Sequence, residues 1–389
     1  MRKKIMVIFG TRPEATKLGP VIQELKRHAD CFETRVVVTG QQKEQLYQAL
    51  AHFDIVPDLD LGLMKENQTL AYITSSAITG LDKVIAGERP DLILIHGDTQ
   101  TAVCGGIVAF FHRIPVGHIE AGLRSHNKYS PWPEEMNRKI IDTVTDLLFV
   151  PTANSKDNLL REGCDEQDIY ITGQTAVDAA IMTNRSSYIF HEEKLNRLVE
   201  QNGRRIITVT AHRKENYGKP MLRMFRGIRR IADENPEVTV IFPVHFSPVV
   251  RKTAFQILSG HERIHLLDPI DYPDMINLIS RSYLVVSDSG GLQEETSVFH
   301  IPLVLMRDTT ERPEAVAANS AYLAGTEEEA IHAVTTRLLR DQKFYDSMSH
   351  VQNPFGDGLA SKRIVQIIAY YFGLGPKLTM EFINNSVIK

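Results

Sequence analysis

The chain has 389 residues, long for one hydrophobic core and comfortable for two domains of ordinary size. It is 43% hydrophobic and 24% charged with a formal net charge of −4, which gives no reason to expect nonspecific affinity for nucleic acid or an anionic membrane. Cys31, Cys104 and Cys164 form no CxxC pair, and no apolar run approaches the ~20 residues of a spanning helix, so a reduced, cytoplasmic protein is expected.

The N-terminal "MRKKIMVIFGTRPE" is basic and then apolar, but the apolar run is too short for a signal peptide and reads as a first strand over 4–9. Further strands are predicted over 34–39, 91–96, 115–119, 146–150 and 168–172. Each is apolar on both faces, as buried parallel strands are. Between them, "GPVIQELKRHA" and "LAYITSSAITGLDKVIAGE" carry apolar residues at i, i+3, i+4 and i+7, the spacing of amphipathic helices. After a polar stretch near 185–203 the series restarts, with strands over 205–211, 237–243, 263–268, 283–288 and 301–306. Two runs of alternating βα units predict an α/β protein of two Rossmann-like domains facing each other across a cleft.

Ligands of open α/β sheets bind beyond the carboxyl ends of the strands, and here those ends are unusually polar. "FGTRPEATK" sets Arg12 and Lys17 beside the first strand, either as a cationic pair for phosphate or as charges on a capped helix. "IHGDTQT" offers Asp98, "HIEAGLR" offers Glu120, and "SPWPEEMNRK" adds Glu134, Glu135 and Arg138. Carboxylates held close raise one another's pKa, which suits proton transfer near neutral pH, although a glutamate at a helix start also answers the dipole alone. In the second half, "TAHRKENYG" gives His212, a phosphate donor or a turn residue, and "PVHFSP" gives His245.

"VVSDSGGLQEETS" runs from strand through Ser289, Gly290 and Gly291 into a helix, a place where N–H groups without helical partners accept an anion. It is no Walker loop, because no Gly-Lys-Ser/Thr follows, and no GxGxxG follows the first strand. No HExxH zinc helix and no G-x-S-x-G elbow is present. A metal, a dinucleotide cofactor and ATP hydrolysis are therefore not expected.

Taken together, "FGTRPEATK", "HGDT", "HIEAGLR", "YSPWPEEMNR", "TAHRKEN", "DSGGLQEE", "RDTTERPEA" and "NPFGDGLASKRI" resemble the non-hydrolysing UDP-N-acetylglucosamine 2-epimerases, in that family's order from residue 5 to about 373. The resemblance implies a glycosyltransferase-B arrangement, the active site in the cleft and a homodimer. It also implies interconversion of UDP-N-acetylglucosamine and UDP-N-acetylmannosamine without a cofactor, for a bacterial surface polysaccharide or teichoic acid precursor. By matching positions, Asp98, Glu120 and Glu134 are the acid/base carboxylates and His212 assists departure of UDP. Arg12, Lys17, Arg138 and Arg312 contact charge or substrate, Ser289, Gly290 and Gly291 hold the diphosphate, and Glu295 holds the ribose. The implied domains are 1–175, joined by a returning helix over 361–373, and 176–360.

The chain also departs from the family pattern. Gln41, Gln42 and Asn67 fall where many members bind a second, activating UDP-N-acetylglucosamine through His and Arg, so a weakened regulatory site is expected. Asn319 stands for a usual Gly, and Gln174 for a usual Asn. The tail 374–389 lies beyond the resemblance and is expected to be disordered. Alternative functions are an epimerase for a modified UDP-sugar such as a diacetamido uronate, a non-catalytic UDP-sugar-binding paralogue, and a glycosyltransferase of the same architecture.

Overall fold

The computed structural model describes residues 2–40, 43–65, 68–200, 203–377 and 381–383. It divides into two compact units, the first running through Met182 and resuming from Phe355, the second spanning Thr183–Pro354. Both crossings differ from the sequence expectation. The chain leaves the first unit at the end of the helix Thr175–Thr183, because Asp178 on that helix binds the returning segment. Its carboxylate accepts from the N–H of Ala360 and from the N–H and hydroxyl of Ser361, capping the helix Ala360–Tyr371 from outside its own sequence. That helix packs on the helix Arg12–Arg27 of the same unit.

Among the described residues, the first unit is built on a parallel sheet of β1 (Lys3–Phe9), β2 (Phe32–Val38), β3 (Leu59–Asp60), β4 (Leu92–His96), β5 (Val116–Ile119), β6 (Leu147–Val150) and β7 (Ile169–Ile171). Their order is β3-β2-β1-β4-β5-β6-β7, a doubly wound sheet with the crossover beside β1. Met6, Ile8, Ile93 and Ile95 pack against Ala77, Leu81 and Ile85 of the helix Leu70–Glu88 and against Ala102, Cys104 and Val108 of the helix Gln100–Phe111.

The second unit has β8 (Arg205–Thr210), β9 (Val238–Pro243), β10 (Ile264–Leu267), β11 (Leu284–Ser287), β12 (Leu303–Leu305) and β13 (Ala321–Leu323), all parallel, in the order β10-β9-β8-β11-β12-β13. Val209, Phe225, Ile228, Phe242, Val286 and Leu338 form its core. The edge strands β3 and β13 were not predicted, since two or three residues carry no readable period. No described helix is long and apolar enough to cross a membrane.

Two sequence departures have visible structural answers. Asn319 adopts φ +61°, a conformation that Gly and Asn tolerate best, and its amide donates to the Ser347 carbonyl at 2.9 Å. The described part of the tail is not the expected disordered extension. Phe382 is buried and its N–H donates to the Ile171 carbonyl at 2.9 Å on the edge strand β7.

Candidate active site

In the first unit the polar residues gather where β1, β4, β5 and β7 end. Glu120 follows β5 directly and sits at φ +68°, a backbone conformation that costs a non-glycine residue energy and is tolerated where the side chain's direction matters. Its carboxylate is buried, and Oε2 is ion-paired with Lys17 of the helix Arg12–Arg27. The same oxygen accepts from the Gln174 amide at 2.5 Å, in the turn after β7. His96, the last residue of β4, places Nε2 3.7 Å from it. That nitrogen has no hydrogen-bond partner among the described residues. Burial pushes the His96 imidazole down to about 3, so the ring beside Glu120 is neutral.

Asp98 lies two residues beyond β4, at the start of the helix Gln100–Phe111. Its Oδ2 accepts from Arg138 at 2.5 Å, and its backbone carbonyl accepts from the Asn137 amide at 2.8 Å. The turn is held from behind by His118 of β5. One ring nitrogen donates to the Gly97 carbonyl at 2.7 Å, and the other lies 2.6 Å from the Asp142 carboxylate. Asp142 is matched further by Arg124 at 2.7 Å. Burial opposes the charge on Asp142, yet His118 and Arg124 keep its carboxyl below the ordinary range. Asp98 and Glu120 thus stand on adjacent strand ends, and the Gly97 N–H donates to the Ile119 carbonyl between them.

The two adjacent glutamates of "SPWPEEMNRK" part company. Glu135 is fully buried and accepts from the N–H groups of Ser125 and His126 at 2.8 and 2.9 Å, closing the preceding loop. Glu134 is half-buried on the first turn of the helix Glu134–Thr143. Arg12 is exposed and makes no ion pair among the described residues. Arg138 bridges Asp98 and Glu135.

In the second unit, His212 follows β8. Its N–H donates to the fully buried Asp288 at 3.0 Å, and its ring lies 5.7 Å from that of His245. Burial lowers its pKa further than Asp288 raises it. Asp288 also accepts from the Arg213 N–H and the Asn216 amide, so one aspartate shapes the whole "AHRKEN" loop.

Ser289, Gly290 and Gly291 lead into a short helix, Leu292–Val298. Neither glycine has a left-handed backbone, and only Gly290 is needed for space. A Cβ at Gly290 would lie 2.7 Å from Glu311 Oε1 and 2.9 Å from an Arg312 guanidinium nitrogen, whereas one at Gly291 would meet nothing within 4 Å. Around Gly290, Arg213, Arg307 and Arg312 surround Glu311 at 2.8–3.1 Å. Burial works against the Glu311 charge, but the three arginines hold its carboxyl at about 2. Glu294 turns inward to Arg312 at 2.6 Å, while Glu295 remains half-buried. Arg213 also pairs with Glu215 at 3.5 Å, so three guanidinium groups and three carboxylates form a charged rim beside a glycine with open space.

Sequence reasoning missed Gln174, His96, His118, Asp288, Arg307 and Glu311 as site-shaping residues. His96, His118, Asp288, Arg307 and Glu311 sit inside quoted motifs, so position was legible while burial was not. Gln41, Gln42 and Asn67 lie outside the described residues. The described residues do bring together one His/carboxylate group, His191, Asp271 and Asp274, whose atoms lie within 4.8 Å. Its oxygens already accept from Tyr188 and from backbone N–H groups.

Residues 23–369 match the family model described as UDP-N-acetylglucosamine 2-epimerase. A UDP-N-acetylglucosamine 2-epimerase of Bacillus subtilis is 46% identical over 371 residues, 95% of this chain and 96% of that protein. A crystal structure of the Neisseria meningitidis UDP-GlcNAc 2-epimerase bound to UDP-GlcNAc is 40% identical, with TM-score 0.87 over 94% of this chain and 100% of that one. The glycotransferase of kitacinnamycin, 11% identical with TM-score 0.64, covers 96% of this chain and 99% of its own and shares the fold alone.

Proposed function

The chain belongs to the UDP-N-acetylglucosamine 2-epimerase family, and on that premise we propose that it interconverts UDP-N-acetylglucosamine and UDP-N-acetylmannosamine. Carbon 2 of the sugar is not next to a carbonyl, so simple deprotonation there is not feasible. The carbon 2 proton passes to a carboxylate, and the freed electron pair becomes the carbon 1–carbon 2 double bond. The carbon 1–oxygen bond breaks and its electrons leave with UDP, giving 2-acetamidoglucal. UDP then re-adds at carbon 1 while a proton returns to the opposite face of carbon 2. Acid/base groups at carbon 2 and donors at the departing diphosphate are all that this route needs.

The observation that carries this reading is Glu120, a buried carboxylate in a strained backbone setting, held by Lys17 and Gln174 beside the strand end that bears Asp98. Asp98, Glu120 and Glu134 are the acid/base set. His212 assists departure of UDP; Arg12, Lys17, Arg138 and Arg312 are further charge or substrate contacts, Ser289, Gly290 and Gly291 admit the diphosphate, and Glu295 takes the ribose hydroxyls. The protein acts in the cytoplasm as a homodimer and supplies N-acetylmannosamine units for a bacterial surface polymer.

Purified protein turned over with UDP-N-acetylglucosamine in deuterated water is expected to place deuterium at carbon 2 and to yield UDP-N-acetylmannosamine. Glu120→Gln is expected to lower both by at least about a hundredfold, within the range set by losing a positioned acid or base. Wild-type protein that binds the sugar nucleotide yet exchanges nothing would sink the proposal.

A further inference from the structure

Gln174 is almost wholly buried in the turn between β7 and the helix Thr175–Thr183, and the chain holds that turn from several directions. The Gln174 N–H donates to the Phe355 carbonyl at 2.7 Å. The Thr172 carbonyl accepts from Arg363 at 3.1 Å, and Arg363 is in turn forked onto Asp357 at 2.7 and 2.6 Å. Gly173, at φ +86°, lies close enough to Gly356 and the Phe382 ring that a Cβ there would stand 3.4–3.6 Å from both. A side chain launched from so fixed a backbone has little freedom.

Its amide nitrogen is directed onto Glu120 Oε2, the oxygen that also pairs with Lys17. Because the acceptor is a carboxylate, the –NH2 end of the amide must face it. Two donors on one oxygen fix the rotation of the carboxylate and turn Oε1 towards the Gly97 turn, 3.7 Å from where a Gly97 Cβ would be. Lys17 supplies charge on a flexible stem, whereas Gln174 supplies direction from a braced turn.

We propose that Gln174 is a positioning residue for Glu120, aiming Oε1 at the carbon 2 proton by anchoring Oε2. The inference rests on the epimerase reading above. A donor to the charged carboxylate favours that form, so losing it moves the protonation of Glu120 to higher pH. Misdirecting the reacting oxygen lowers the rate of proton transfer more than it lowers substrate binding.

The test compares wild type with Gln174→Ala, Gln174→Asn and Gln174→Glu, measuring kcat, KM and carbon 2 deuteration from pH 5 to 9, with Tm for each. Gln174→Ala is expected to lose about tenfold or more in kcat and in deuteration, with KM within about twofold. The acidic limb of its kcat profile is expected to move to higher pH. Gln174→Asn, which keeps the amide on a shorter stem, should recover part of both effects. Should Gln174→Ala fail to fold, Gln174→Glu, of matching size, replaces the donor with a like charge and should shift the limb further upward. The inference is overturned if the folded variants keep a wild-type rate and limb, or if kcat falls with the limb unmoved and Asn no better than Ala. An inactive wild type would instead overturn the epimerase reading, and this inference with it.

Discussion

Glu14 shows how much one buried carboxyl can organise. Its Oε2 accepts from the N–H groups of Gly10 and Thr11 and from the Thr11 hydroxyl, and its Oε1 accepts from the Thr99 hydroxyl at 2.7 Å. It therefore ties the turn after β1, which carries Arg12, to the turn after β4, which carries Asp98. Burial pushes its carboxyl up to about 7, against the pull of those four donors. The folded chain keeps this proton over a pH range in which the unfolded chain has lost it. Its contribution to stability is fully present below the ordinary carboxylate pKa and falls away as pH rises through about 7. Glu14→Gln keeps an acceptor for the three donors and an –NH2 for Thr99, but cannot titrate. The Tm of the variant relative to wild type is expected to be more favourable at pH 8 than at pH 5, by a few degrees. Parallel Tm curves across that range would show that the carboxyl is not held protonated.

At the scale of elements, the last described residues act as a brace for an edge. β7 is an edge strand of the first sheet, and Phe382 covers its end by a backbone hydrogen bond to Ile171 and by packing on Gly173 under the Arg363 guanidinium, 6.0 Å from the ring centroid. Phe382→Ala removes that buried ring and is expected to cost about 3–5 kcal/mol, read as a lower Tm. An unchanged Tm would mean that the segment does not stay docked. From sequence, "GPKLTMEFINNSVIK" is expected to be a disordered tail, although "LTMEF" within it alternates apolar and polar residues as a half-buried extended segment does. The parallel strands other than β3 and β13, by contrast, were legible to within a residue or two, since each is a continuous apolar run ended by polar residues. The polar strand ends that make up the candidate site were legible in the same way. What pattern could not give is which of two neighbouring carboxylates turns inward. Glu135 and Glu294 are spent on the Ser125 loop and on Arg312, and only packing distinguishes them from Glu134 and Glu295.

At the scale of the whole chain, the two units divide the chemistry by residue type. The first holds the carboxylates proposed to move protons, and the second holds the arginine-rich rim around Gly290 and the His212 loop fixed by Asp288. A sugar nucleotide carries the same division, with a neutral ring to be deprotonated and a diphosphate to be stabilised. UDP alone has the second part without the first. Its binding is therefore expected to protect the amides of residues 211–217 and 288–296 from hydrogen exchange, while those around Asp98 and Glu120 exchange as they do without ligand. Gly290→Ala places a methyl group against Glu311 and Arg312, whose side-chain ends can give way, so the fold should survive with little change in Tm. The same methyl group narrows the approach to the proposed diphosphate position, and UDP affinity is expected to fall by about tenfold or more. Protection by UDP at the Asp98 turn equal to that at Ser289, or full UDP affinity in Gly290→Ala, would contradict this division of labour.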